Sequence, residues 1–386
     1  MASAPFPVVE IRSVANAQNE WVALLLGTPG TGLDAAGLLD LFGTPDLLAA
    51  IAPLDGIVLL DDAANLTPSV LDVLPPNRVL LAVRAGALAT DGTARRLAEL
   101  QLTGYRVLID GPLPEGVAAP IALRTVARDA GLDLPRAGAL PALFGPHLAY
   151  HVDDMACYRA CETAGFSWFS GDYALQASVP EGDDGTSRRH MLTMLALLAR
   201  DADSRELEAQ LKQDPALSYH LLKLVNSAAF SVGTQITSFA QAISRLGRRQ
   251  LQRWLQLLLY ARPHPDSPPN LMLPMAALRG ASLEALCKRD GGDRDDQDLA
   301  FMTGVFSLLD RLFQMPMAEV VQDLNLPEHV EAALLSRDGQ LGQRLRLAEA
   351  GRPDPETLEE AGVDGPDWWQ SQLHAYHWAI QVARNV

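Results

Sequence analysis

Arg245, Arg248, Arg249 and Arg253 crowd about Gly247 in a chain that otherwise carries an excess of acids. Guanidinium groups present planar donor forks that match carboxylates and phosphates, so this corner could dock an acidic protein partner or a nucleotide phosphate. Cys157 and Cys161 stand four apart with Cys287 distant. Two thiols at that spacing do not complete a four-ligand structural zinc site, and the cysteines are expected to be reduced and packed. The segment AFMTGVFSLLD, Ala300 to Asp310, reads as one helix carrying Ser307 and Leu308. A hydroxyl and an isobutyl group cannot act as the imidazole and carboxylate of a metal site. His264 lies in a proline-rich connection and is expected to be surface chemistry; no metal or cofactor is expected anywhere.

Two kinds of pattern surround these residues. Up to EGDDGTSRR, short apolar runs alternate with Gly/Pro turns: DGIVLLD, NRVLLAVR, GYRVLIDG and HLAYHVDD read as strands, and TARRLAELQLTG and VDDMACYRACETAG as helices between them. That is α/β spacing, with strands short enough to be buried on both sides. After Arg188 the pattern is helical nearly throughout, which predicts a first domain over 1–182 and an all-α second domain over 183–386. In the second domain Asp214 is placed to cap a helix and Pro215 to fit its first turn. Asn226 and Ser227 form a polar turn after an apolar face, and Gly247 offers a sharp exit between helices. Pro263, Pro265, Pro268, Pro269 and Pro274 predict a long connection, after which further helices build a bundle closed by an aromatic-rich last helix.

The stretches DPALSYHLLKLVNSAAF, ITSFAQAISRLGRRQL and AFMTGVFSLLD resemble the HDOD family, the metal-free relatives of the HD and HD-GYP phosphohydrolases. In catalytic relatives the last stretch would carry His-Asp where this chain has Ser307 and Leu308. The resemblance implies a regulatory, protein-interacting helical module.

The first half resembles an EAL domain, the cyclic-di-GMP phosphodiesterase barrel, in degenerate form. LAYHVDDMACYRACETAGFSWFSGDYAL looks like the family stretch with a metal-binding Glu, a Lys, a second Glu and a terminal turn, here Tyr150, His151, Asp153 and Ser170. The resemblance places Ala23 where the signature triplet would carry its metal-binding Glu, and Ala82 and Arg84 at two acidic positions of another strand. An Asp-Asp pair is reduced to Asp110 followed by Gly111. Two surviving acids make a poor divalent-metal site, and Arg84 repels a cation. What the resemblance implies is therefore a degenerate, shortened EAL-type (TIM-like) α/β barrel followed by an all-α HDOD domain.

Charge and hydropathy narrow the function. A net charge of −16 opposes general nucleic-acid binding, which needs a concentrated basic surface. The start MASAPFPVVE and the short apolar runs predict no leader, no membrane span and a cytoplasmic protein. The expectation is a signal-transduction scaffold or adaptor without enzymatic activity, partnered by signalling proteins. The alternatives are a cyclic-di-GMP-binding effector, with Arg84, Tyr150, His151 and Trp168 meeting phosphate or base, and a residual cyclic-dinucleotide phosphodiesterase.

Overall fold

The computed structural model describes residues 9–27, 33–44, 46–60, 62–90, 92–117, 123–176, 193–194, 196–197, 200, 202–211, 247–260, 270–322, 324, 326–350 and 353–385. The chain divides into two units, Met1–Gln176 with Gly351–Glu356 and Ala177–Ala350 with Thr357–Val386.

In the first unit eight strands close into one barrel, β1 (Glu10–Asn16), β2 (Trp21–Gly27), β3 (Asp55–Leu60), β4 (Val79–Arg84), β5 (Arg106–Asp110), β6 (Val126–Asp129), β7 (Leu148–Tyr150) and β8 (Trp168–Ser170). Strands β2 to β8 run parallel, whereas β1 is antiparallel to both neighbours, pairing Val14 with Ala23 and Ala15 with Phe169. Alternate residues turn inward, and Val14, Ala23, Leu25, Ile57, Leu80, Ala82, Leu108, Ala127, Leu148 and Tyr150 form the interior cluster. The barrel is thus a packed core whose chemistry must sit at the strand ends.

Helices α1 (Ala35–Phe42), α2 (Asp46–Ala50), α3 (Pro68–Val73), α4 (Thr93–Leu102) and α5 (Met155–Ala164) lie between strands. Asp34, Thr67 and Asp154 cap α1, α3 and α5, accepting from the Gly37, Val70 and Cys157 N–H groups that a first helical turn would otherwise leave unmet. Gly165 ends α5 at φ +109, and a Cβ there would lie 2.4 Å from the Leu140 carbonyl oxygen. Residues 130–147 connect β6 to β7 with only a 3-10 turn at Ala142–Phe144. Buried His147 pins this connection, its Nδ1 accepting from the Val126 N–H at 3.2 Å and its Nε2–H donating to the Pro141 carbonyl at 3.1 Å.

The second unit is helical: α6 (Ser204–Leu211), α7 (Arg248–Leu258), α8 (Met272–Arg289), α9 (Arg294–Phe306), α10 (Leu309–Phe313), α11 (Met317–Gln322), α12 (Glu328–Ser336), α13 (Gly339–Glu349) and α14 (Gly365–Asn385). Helix α8 is its centre and packs on α9, α13 and α14. Glycines let α8 and α9 touch: a Cβ on Gly304 would lie 2.5 Å from the Arg279 carbonyl carbon, and one on Gly280 would meet Val305 and Phe301.

Two expectations are corrected. AFMTGVFSLLD is not one helix, because α9 ends at Phe306 and α10 begins at Leu309. Ser307 makes the break, its Oγ donating to the Gly304 carbonyl at 2.8 Å and accepting from Arg279 Nη1 at 2.9 Å. Pro274 does not belong to a connection but lies in the first turn of α8, where its missing N–H leaves no bond unmade. Among the described residues no helix is long and apolar enough to cross a membrane.

Candidate functional site

The C-terminal ends of β4 to β7 bring together side chains that the sequence scatters. Ladder register places Arg84 opposite Asp110, and Asp129 opposite Tyr150. Arg84 Nη1 donates to Asp110 Oδ2 at 2.6 Å and to the Tyr150 hydroxyl at 3.4 Å, while the Tyr150 hydroxyl donates to Asp110 Oδ1 at 2.8 Å. The Asp110 side chain is fully enclosed, whereas that of Arg84 is 39% exposed, so the pair has a buried foot and an accessible head. Burial pushes the Asp110 carboxyl above its ordinary value; the Tyr150 hydrogen bond and then the charges of Arg84 and Arg128 pull it part of the way back. Burial, followed by the charge of Asp110, holds the Tyr150 phenol well above its usual range and thus protonated.

Next to this triad His151 adopts φ +54, a left-handed conformation uncommon outside glycine. Its Nδ1 lies 2.8 Å from Asp129 Oδ2. Asp129 Oδ2 acts as the acceptor in this pair, so the Nδ1–H of the half-exposed ring donates to it. Arg128, mostly buried, donates from Nη1 to the carbonyls of Ile109 and Ala127 at 3.1 and 2.8 Å.

The remaining barrel positions lie apart from this cluster or offer no donors. Ala23 and Ala82 are buried in the apolar interior. Gly111, at φ +87, turns the chain away after β5. Asp153 is exposed, and its carbonyl accepts from Gln176 Nε2 at 3.3 Å. Ser170 ends β8 with its Oγ buried and unpartnered among the described residues. Among the described residues no three His, Cys, Asp or Glu side chains gather as metal ligands. Sequence reasoning missed Asp129 and Arg128 because VARD is only four residues with one buried position; the parallel pairing to β7 that places them is visible only in the fold.

In the helical unit, Arg249 Nε lies 2.6 Å from Asp298 Oδ1, and Arg253 pairs with both Asp298 and Glu284 while its guanidinium sits over the Phe301 ring at 4.7 Å. Half of the arginine corner is therefore neutralised within the fold. Gly247 precedes α7 at φ +79, and the Arg248 side chain, like Arg245, Asp214, Pro215, Asn226, Ser227 and His264, lies outside the described residues. Ser307 and the buried Leu308 sit beside Arg279, whose guanidinium Nη1 also lies 3.4 Å from Glu349. Arg337 grips the same carboxylate with two bonds of 2.7 Å. The cysteines are free thiols, and burial, then Cys157, pushes the Cys161 thiol up to about 12, so it stays protonated.

Residues 189–311 match the HDOD domain. Over a span longer than the HDOD match, the chain is 25% identical over 330 residues to Cyclic di-GMP phosphodiesterase CdgJ of Vibrio cholerae, covering 81% of this chain and 76% of that one. It is 24% identical over 327 residues to the uncharacterized protein YuxH of Bacillus subtilis, covering 78% of each. Among solved structures, a putative phosphohydrolase from Shewanella amazonensis is 17% identical with a TM-score of 0.33, over 50% of this chain and 93% of that one. The expectation of a chain without enzymatic activity is corrected by the likeness to CdgJ, whose name is that of an enzyme. That expectation rested on lost metal ligands alone, and the count of such ligands does not bound what a strand-end cluster of Arg, Asp, Tyr and His can do.

Proposed function

We propose that the chain acts in cyclic-di-GMP signalling. In this reading the barrel is a degenerate EAL domain that takes the dinucleotide at its strand-end cluster, and the HDOD region passes on the bound state by docking signalling proteins. The observation that carries it is the likeness to a cyclic di-GMP phosphodiesterase over 330 residues, a span longer than either unit. The geometry supports it physically: a guanidinium suits a phosphodiester, and the half-exposed ring of His151 offers a face on which a guanine can stack, whereas Trp168 opens β8 in register with Leu148 and packs against the interior at the other end of the strand. Cleavage of the bound dinucleotide is the second reading, favoured by the same relative's name.

A thermal shift comparing cyclic-di-GMP with GMP tests the proposal. A ligand that binds only the folded state, present at 100 times its Kd, stabilises by about 2.7 kcal/mol, a rise of several degrees. A rise with cyclic-di-GMP alone supports the reading, and chromatography of the recovered nucleotide then separates binding from cleavage. No rise with either nucleotide removes it. For docking, Arg248→Glu is expected to weaken capture of an acidic signalling partner, and unchanged capture discards that corner as the contact.

A further inference from the structure

We propose that the barrel mouth is a metal-independent phosphodiester subsite whose cation is the Arg84 guanidinium, held in place by Asp110 and Tyr150. The inference rests on the dinucleotide reading above and adds how the phosphate charge is met. A phosphodiester docking on this partly exposed cluster sheds some hydration and gains from a compensating positive group; a divalent ion or a fixed guanidinium can supply it. A divalent ion requires converging oxygen ligands. Ala23 and Ala82 bring no ligand to the interior, Asp153 lies exposed, Asp129 is bonded to His151, and Asp110, the one buried carboxylate among the described residues, is already bonded to Arg84 and Tyr150. A cation brought to Asp110 would also stand beside the Arg84 charge, about as close as one ion pair's reach, and be repelled.

Arg84, in contrast, is built as a fixed donor. It ends β4 in register with Asp110, whose enclosed carboxylate grips Nη1, and Tyr150 steadies the same carboxylate from β7. Three strands therefore fix the guanidinium before any ligand arrives, so little side-chain freedom remains to be lost on binding. The positive groups Arg84 and Arg128 are matched by Asp110 and Asp129, so net field does not drive attraction; the recognition lies in donor geometry within a partly desolvated site.

The test is a calorimetric titration of the full-length chain with cyclic-di-GMP, once in magnesium buffer and once with excess EDTA. The expected result is the same affinity in both, with Arg84→Gln weakening it about 10- to 100-fold, the worth of a charge-assisted bond. Binding that needs magnesium overturns the inference while leaving the dinucleotide reading intact, as does an Arg84→Gln protein that folds and binds unchanged. Absence of binding in both buffers sinks the two together. If the variant fails to fold, the comparison of the two buffers on the unaltered chain decides alone.

Discussion

Asp110 and His147 are buried titratable groups that pull stability in opposite directions with pH. Burial raises the Asp110 carboxyl, so its protonated form is favoured in the fold, and its ionised form is a burden above the folded value. Asp110→Asn keeps the shape and one acceptor oxygen, which can serve Arg84 while the amide NH2 donates to a Tyr150 hydroxyl turned to accept, and it removes the buried charge. It is expected to raise the melting temperature at neutral pH, with the advantage shrinking as the pH falls toward the ordinary carboxylate value of 3.8; a lower melting temperature at neutral pH would show that the Arg84 ion pair outweighs burial. His147 behaves conversely. Burial lowers its imidazole below 6.5, its Pro141 hydrogen bond opposing and Arg128 assisting, so its stabilising contribution is present above 6.5 and is lost as the pH falls through the folded value. Denaturation midpoints measured from neutral to mildly acidic pH should decline more steeply for the unaltered chain than for His147→Gln. Arg84, Asp110, Tyr150 and His151 were singled out through the resemblance to an EAL domain, whereas Asp129 was not, because a four-residue strand leaves no periodicity to read.

At the scale of elements, strands β3, β4, β5 and β7 announce themselves as apolar runs between turns, and α4 and α5 as periodic segments between them. Strands β6 and β8 do not, since VARD and WFS are stabilised by neighbours on both sides rather than by their own composition. The break between α9 and α10 was equally hidden: the apolar residues of AFMTGVFSLLD continue helical periodicity, and the interruption is favoured by the Ser307 bond to the Gly304 carbonyl together with the tertiary bond from Arg279. The crossing of α8 and α9 depends on backbone contact at Gly304. Gly304→Ala is expected to cost about 2–3 kcal/mol or more in urea denaturation, because the obstacle is the Arg279 backbone rather than a movable side chain. A cost under about 0.5 kcal/mol, the range of surface substitutions, would mean that the two helices slide apart without penalty. Glu349 serves two guanidiniums, Arg279 and Arg337. Glu349→Gln should therefore destabilise by about 2 kcal/mol, less than a fully buried pair because Glu349 remains 23% exposed.

Over the whole molecule, the strongest physical statement is the charge of −16, which confines phosphate recognition to a built site. A double-stranded DNA fragment should show no retardation at physiological salt, while cyclic-di-GMP binds at the barrel mouth; retardation by a random sequence would expose a basic surface at odds with this composition. The likeness to CdgJ covers 330 residues, longer than either unit alone, and so extends over both. The most direct measurement is a calorimetric titration of the full-length chain with cyclic-di-GMP in magnesium buffer, with the recovered nucleotide chromatographed. Saturable heat, with or without cleavage, is the expected result; no heat at high micromolar nucleotide, repeated at a second temperature so that a vanishing enthalpy cannot hide binding, would contradict a role for the barrel in cyclic-di-GMP signalling.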